Sequence, residues 1–167
     1  MDESPPTPQT DHARAIELAH KAVAARERTV SELRTFLERK RVGPQAIEAA
    51  VAQLTQAGLL DDARYAQRFA DDKRTLELWG AGRIARDLQR RGVEPRLVEA
   101  ATATQSRTDE LNSALVLLAE RMPQAPADDR ERDKAWRLLV RRGYEAELAY
   151  EAVRLHERAV QARSRAA

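Results

Sequence analysis

The sequence predicts an all-α protein of three tandem three-helix repeats that form an elongated, curved array. A basic doublet recurs every 51 residues, as Arg39-Lys40, Arg90-Arg91 and Arg141-Arg142. No segment alternates apolar and polar residues over the length of a strand, and β-branched residues are scarce. A fixed period of this size is typical of one structural unit built three times.

Apolar residues recur in the same frame as the doublets. Four positions are apolar in all three copies: Leu33, Ile84 and Ala135; Leu37, Leu88 and Leu139; Val42, Val93 and Tyr144; Ala50, Ala101 and Ala152. Because these positions repeat at the same interval as the doublets, they belong to the same predicted structural unit.

The composition favours helices with wide solvated faces over a thick core. Charged residues make up 34% of the chain and aromatic residues only 4%, and the net charge is +2. Basic residues are concentrated in the middle and the C-terminal third. The chain contains no cysteine, which excludes disulfides and thiolate metal sites.

The repeat frame predicts the domain boundaries. We expect a disordered, acidic and proline-rich tail over residues 1–10, then helical repeats over 11–59, 60–106 and 107–167. The tail lacks the basic start and apolar core of a signal peptide, and no apolar run is long enough to span a bilayer. We therefore expect a cytoplasmic protein that does not enter the membrane.

Capping signals mark the helices of the first repeat. Thr29 and Glu32 form a capping box that predicts a helix over about 30–41. Gly43 is expected to stop that helix, and Pro44 suits the first position of the next one.

Similar signals mark the second repeat. Asp61 is a good N-cap, and the expected buried face of the helix that follows comprises Tyr65, Ala66, Phe69 and Leu76. Trp79 lies in the next turn, where it could plug the joint between two helices or stack on a nucleic-acid base; we favour the plug.

A motif in the second repeat closely resembles the RecX family of bacterial recombinase regulators. It runs Gly58-Leu-Leu-Asp-Asp-Ala-Arg-Tyr-Ala66, followed by Phe69, Lys73-Arg74, Trp79-Gly80, Arg83-Ile84, Leu88 and Gly92-Val93. The resemblance covers about residues 22–105, and its motif positions are Asp61, Asp62, Tyr65, Phe69, Trp79, Gly80, Ile84, Leu88 and Gly92. The third repeat resembles the family mainly through the frame and Arg141-Arg142-Gly143-Tyr144.

The chain departs from the family pattern at Arg41, where the family places a helix-ending glycine. We expect Gly43 to take that role, so that the first turn between helices differs from the others.

The resemblance implies a function. Members of the family are modular three-helix repeat proteins that bind the RecA filament, lie in its helical groove and restrain strand exchange and ATP hydrolysis. It therefore implies a regulator of DNA repair, recombination and the SOS response. We expect a monomer that is not an enzyme and needs no cofactor.

Two sets of cations are the candidate contacts with an anionic partner. Both sets follow helical spacing, so each lies on one helix face: Arg83, Arg86 and Arg90 in the second repeat, and Lys134, Arg137 and Arg141 in the third. We call them the basic stripes. The first repeat has Glu32, Thr35 and Arg39 in this frame, so Arg39 is its single candidate.

The helix dipole does not account for the whole of each stripe. Cations offset the dipole only in the last helical turn, whereas Arg83 and Lys134 stand at helix starts. We therefore expect the stripes to contact acidic protein patches or the phosphates of single- or double-stranded DNA. For Lys40, Arg91 and Arg142, the second members of the doublets, we favour a structural role with the charged head in water.

No catalytic or metal-binding constellation is predicted. Asp61 and Asp62 are better explained as helix caps than as paired catalytic carboxylates. His12, His20 and His156 do not form a ligand cluster and are expected at the surface.

Two other hypotheses remain open from the residues alone. The chain could bind DNA directly through helix-turn-helix-like units, or it could be a helical scaffold whose charge only keeps it in solution. The first predicts strongly salt-dependent DNA binding, and the second predicts no binding to DNA or filament.

Overall fold

The computed structural model describes residues 8–166, and these residues form nine helices and no strand. The helices are α1 Pro8–Ala25, α2 Val30–Arg39, α3 Pro44–Gln56, α4 Asp62–Glu77, α5 Ala81–Arg90, α6 Pro95–Thr102, α7 Arg107–Arg121, α8 Asp129–Arg141 and α9 Ala146–Ala166. The predicted all-α class with three-helix repeats is confirmed. Of the predicted tail, residues 1–7 lie outside the described part of the chain, and α1 begins within it at Pro8.

The repeat frame sets the core. All twelve side chains of the shared apolar frame are buried, and none is more than 6% exposed. The frame therefore places the same side of each repeat toward the interior. The first residue of each doublet is the last residue of α2, α5 or α8, and the second residue follows that helix.

The chain divides into two compact units. Unit 1 comprises the chain up to Ala66 together with Leu88–Leu97, and α1, α2 and α3 enclose its core. Unit 2 comprises Gln67–Asp87 and the chain from Val98 onward, and α7, α8 and α9 enclose its core. The helices of the second repeat are thus shared between the two units.

The middle helix of each repeat ends in the same left-handed turn. The residue after the cap has a positive φ in every copy: 58° at Arg41, 76° at Gly92 and 95° at Gly143. In each turn the next amide donates to the carbonyl five residues earlier: Val42 to Leu37, Val93 to Leu88 and Tyr144 to Leu139. This hydrogen-bond pattern is the Schellman motif, which closes a helix C-terminus.

The expectation for the first turn is therefore wrong. Gly43 has φ −65° and serves as the N-cap of α3, while Arg41 itself adopts the left-handed conformation. Arg41 is exposed, so its side chain meets no obstacle. At Gly92 a Cβ would overlap Ser31, and at Gly143 it would lie 2.5 Å from the Cβ of Arg83. Close packing, and not backbone conformation alone, demands glycine in the second and third copies.

Each of these turns is held by the chain that precedes it. The carbonyl of the second doublet residue accepts a hydrogen bond in all three copies: Lys40 from Arg14 Nη2 at 2.8 Å, Arg91 from Thr29 Oγ1 at 2.6 Å and Arg142 from Gly80 N at 2.9 Å. In the second and third copies the donor belongs to the preceding repeat, so the backbone of the doublet marks a joint between two repeats.

The predicted caps are in place. Thr29 Oγ1 accepts from the amide of Glu32 at 3.1 Å, and Asp61 Oδ1 accepts from the amide of Arg64 at 2.9 Å. Pro44 is the first residue of α3, as predicted, and Gly58 has a φ of 68° after that helix.

Two sequence expectations about exposure are wrong. Leu76 is 77% exposed, whereas Ala66 and Ala70 mark the buried face of α4. Leu76 comes six residues after Ala70, and at the helical period this spacing places its side chain on another face of the helix. His156 is 5% exposed and its Nε2 lies 2.8 Å from the carbonyl oxygen of Met122, since it continues the buried face of α9 after Val153. Within residues 8–166, no helix combines the length and apolar character needed to cross a bilayer.

The left-handed turns make a stability prediction. Gly143→Ala adds a methyl group against the backbone of Arg83 as well as strain at positive φ, so we expect it to lower the free energy of unfolding by about 3 kcal/mol. Gly58 also has a positive φ, but a Cβ there meets nothing within 4 Å. Gly58→Ala is the matched control and should cost only about 1 kcal/mol in urea denaturation. Equal losses would show that packing at the Gly143 turn is unimportant.

Candidate basic binding surfaces

The stripe of the third repeat lines a groove along α8. Its three predicted cations, Lys134, Arg137 and Arg141, face one groove of about 520 Å³ within unit 2. Arg130, which the repeat frame did not predict, joins them. The sequence therefore predicted three of the four groove cations as neighbours on one helix face, and it did not predict Arg130.

Three acids also line this groove, and each has a local task. Asp128 caps α8 by accepting from the amide of Glu131 at 2.8 Å. Glu131 accepts from the amide of Ala127 at 2.8 Å, and Asp133 forms a 2.7 Å ion pair with Arg137. Lys134 and Arg141 are exposed. The three carboxylates of the groove thus have hydrogen-bond or ion-pair partners, while Lys134 and Arg141 are open to solvent.

At the start of α5, Arg83 belongs to a packed aromatic cluster. Its guanidinium lies 3.8 Å from the ring centroid of Trp79, which is itself 7% exposed and meets Phe69 edge to face at 6.5 Å. Lys73 lies 4.9 Å from the Trp79 ring on the same cluster. Trp79 is therefore buried as the favoured plug, and Arg83 helps to hold it.

Arg86 lies on the open side of α5. It is exposed, and a Cβ built on Gly82 would lie 3.6 Å from Arg86 Nη1 and 3.0 Å from the carbonyl oxygen of Gly143. The guanidinium of Arg86 is therefore beside the turn that follows Arg141.

Arg90 belongs to a different surface. It lies in unit 1, where it lines a groove of about 260 Å³ with Arg39. Five arginines line this groove, with Phe36 and one acid, Glu32: Arg26, Arg28, Arg39, Arg90 and Arg91. We call it the arginine groove. Arg90 therefore lines a groove in unit 1, whereas Arg83 and Arg86 belong to unit 2.

Glu32 stands at the centre of the arginine groove. Its Oε2 lies 3.0 Å from Arg26 Nη1 and its Oε1 lies 2.9 Å from Arg91 Nη1. Tyr65, half-buried, hydrogen-bonds Arg91, while burial raises the pKa of Tyr65. Both carboxylate oxygens of Glu32 are therefore engaged by arginines that line the groove.

Arg28 extends the groove along an aromatic ring. Its guanidinium lies 4.9 Å from the ring centroid of Phe36, and Lys40 Nζ lies 5.8 Å from the same ring. Burial lowers the pKa of Arg28, and the positive charge of Arg26 lowers it further. Sequence analysis missed Arg26 and Arg28 because their counterparts 51 residues later are Glu77 and Trp79.

The second doublet residues make structural contacts through their side chains as well. Arg142 Nη1 donates to the carbonyl of Glu77 at 2.7 Å, and Arg91 binds Glu32 as described. The hydroxyl of Tyr144 donates to the carbonyl of Leu78 at 2.9 Å. The charged heads of Arg91 and Arg142 are thus bonded to the preceding repeat instead of standing in water. Lys40 is exposed, and its ammonium group lies over Phe36 of its own repeat.

The acidic pair of the family-like motif has structural partners. Asp61 caps α4, and Asp62 Oδ1 accepts from the amide of Val30 at 2.9 Å, which serves the first turn of α2. Burial raises the pKa of Asp62. Over residues 8–166 no cluster of His, Cys, Asp and Glu is arranged to hold a metal ion.

Comparison with known proteins places the chain among regulatory proteins named RecX. The family model described as RecX, second three-helix domain, matches residues 61–101. Regulatory protein RecX of Trichlorobacter lovleyi is 33% identical over 135 residues, which cover 78% of this chain and 87% of that protein. That of Thermobifida fusca is 30% identical over 150 residues, or 88% of this chain and 80% of that protein.

A RecX protein from Lactobacillus delbrueckii subsp. bulgaricus is 36% identical over 91 residues, but the match spans only 34% of its length. Among solved structures, RecX from Lactobacillus salivarius superposes with a TM-score of 0.79 at 17% identity, over 88% of this chain and 97% of that one. This likeness shows the fold.

The two cations of α5 in unit 2 should behave differently when they are removed. Arg83→Gln loses the stacking on Trp79, so we expect the free energy of unfolding to fall by about 1 kcal/mol. The same change at exposed Arg86 should alter it by less than about 0.5 kcal/mol. Chemical denaturation of both variants measures the difference, and a silent Arg83→Gln would contradict its placement in the aromatic cluster.

Proposed function

The chain belongs to the RecX family, and on that premise we propose that it binds a RecA–DNA filament and restrains strand exchange and ATP hydrolysis. The observation that carries the proposal is the groove along α8 in unit 2, which is lined by three of the predicted cations, Lys134, Arg137 and Arg141. Arginine guanidinium groups match the planar geometry of carboxylates and phosphates, the two anionic groups that such a filament offers.

The proposed contacts in unit 2 are the cations that are free of a core role: Arg86, Lys134, Arg137 and Arg141. Arg83 acts as a positioning residue, since it is stacked on Trp79 and packed against Gly143. In unit 1, Arg39 and Arg90 contribute through the arginine groove. Several weak contacts on one folded chain add to tight binding through effective concentration.

Inhibition follows from position along the filament. A chain that lies in the filament groove occupies space that a partner DNA strand needs, and contacts to neighbouring subunits oppose their movement. This mechanism needs no catalytic group and no cofactor of the chain's own. We propose that the chain acts as a cytoplasmic monomer in DNA repair, recombination and the SOS response.

Charge reversal in unit 2 tests the contact set. We expect the double variant Arg86→Glu, Arg137→Glu to suppress RecA strand exchange at least tenfold less efficiently, because two attractive contacts of about 0.5–1 kcal/mol each become repulsive. The measurement is the protein concentration needed for half-inhibition of strand exchange.

The control carries the same number of reversals at another surface. Arg163→Glu, Arg165→Glu alters exposed arginines in the last turn of α9. It should inhibit at wild-type doses. If the Arg86, Arg137 variant is folded by circular dichroism and also inhibits at wild-type doses, the contact set is wrong.

Direct DNA binding is the second candidate, favoured by the number of guanidinium groups that line the two grooves. Six phosphate contacts predict that the logarithm of the affinity for duplex DNA falls with the logarithm of salt concentration with a slope of about −5. Under the filament proposal we expect weak binding to naked duplex beside strong co-sedimentation with assembled filaments. Equal affinity for both would favour the DNA-binding candidate.

A further inference from the structure

Arginines outnumber carboxylates among the residues that line the arginine groove of unit 1. Five arginines line it against the single carboxylate of Glu32, and both oxygens of that carboxylate are already engaged by Arg26 and Arg91. Burial lowers the pKa of Arg28, and the positive charge of Arg26 lowers it further, because like charges held this close repel each other. An external anion would relieve that repulsion.

Two of the guanidinium groups, those of Arg26 and Arg28, are held in place before any ligand arrives. Arg26 is fixed by Glu32 and by the carbonyl of Glu27 at 3.1 Å, and Arg28 by Phe36 and the carbonyl of Ala22 at 3.1 Å. Preorganised side chains lose little conformational entropy on binding, so such a groove binds more tightly than an equal number of mobile cations.

The shape of the groove suits a phosphate-bearing strand. It runs beside α2, with Thr35 and Ser31 as hydroxyl donors between the arginines, and Phe36 offers an aromatic wall. Forked guanidinium donors engage phosphate oxygens in pairs, and hydroxyl groups add single hydrogen bonds.

We propose that the arginine groove is a phosphate-binding site for a single DNA strand and that Glu32 is a built-in competitor that limits its strength. The Glu32 carboxylate occupies guanidinium groups that a phosphate would otherwise take. The site lies in unit 1, and two of its cations, Arg39 and Arg90, are among the candidates that the repeat frame predicts. This inference rests on the proposed function, since the strand would be the DNA of the filament.

A variant of Glu32 tests whether this carboxylate competes with phosphate for the arginines. Glu32→Gln keeps the size of the side chain and one hydrogen-bond acceptor while it removes the competing charge. We expect this variant to bind an oligo(dT) of about 20 nucleotides roughly fivefold more tightly than the wild type, measured by fluorescence anisotropy at fixed salt. An unchanged or weaker affinity in a folded Glu32→Gln protein overturns the role of Glu32.

A variant of Arg39 tests whether the groove itself binds the strand. It is exposed at the end of α2, so Arg39→Gln should leave the fold intact while it lowers oligo(dT) affinity about fivefold. Arg163→Gln is the matched control, because it removes one charge from the last turn of another helix. If the two variants bind the strand equally, the groove is not the site, whatever Glu32→Gln does.

Competitors distinguish the sources of the anion. Unlabelled oligo(dT) should displace the probe at concentrations well below those of inorganic tripolyphosphate, because the strand also meets Phe36. Displacement by tripolyphosphate at the lower concentration would point to free phosphates instead. Displacement by oligoglutamate of equal charge, with the same dependence on Arg39, would show a carboxylate site for an acidic protein segment and overturn the proposal.

Failure here is separable from failure of the proposed function. All of these binding measurements use the isolated full-length chain and no recombinase. An Arg39→Gln protein that keeps its strand affinity overturns only the groove, while loss of filament inhibition in the unit 2 variant is measured independently.

Discussion

In every repeat, the carbonyl at the end of the middle helix accepts a hydrogen bond from the segment that precedes it. Arg14, Thr29 and Gly80 provide the donors, and the left-handed turn that follows each carbonyl closes the helix. The last carbonyls of a helix have no partner within that helix, and these three carbonyls find one in an earlier segment of the chain. Repeat geometry, the burial of the apolar frame and the placement of cations all depend on these joints.

The joints also explain why residues at the same position of the repeat frame make different contacts. Arg83 and Lys134 share one frame position, yet Arg83 is stacked on Trp79 and packed against Gly143, while Lys134 is exposed at a groove. In the first repeat the same position is Glu32, which binds Arg91 of the next repeat. A residue near a joint contributes to packing, and the same frame position elsewhere remains available to a partner.

Unit 1 and unit 2 each present cations in a distinct way. In unit 2 they lie on one helix face, where their acids are occupied by caps and local ion pairs. In unit 1 the arginines come from the segment after α1, from the end of α2 and from the end of α5, and two of them bind the carboxylate of Glu32. Arginines around a single acid keep their positions without losing their net charge, which is the property that a phosphate site needs.

The sequence by itself determined the helices, the caps at Thr29 and Asp61, and the buried frame, because these depend on local spacing and on residues within one turn. It also placed Lys134, Arg137 and Arg141 on one face. Only the tertiary structure decided that Arg41 takes the left-handed turn, that His156 is buried, and that Arg26 and Arg28 join Arg39 and Arg90. The physical reason is that such groupings arise where distant segments pack, and a 51-residue period records which positions are equivalent but not which of them meet.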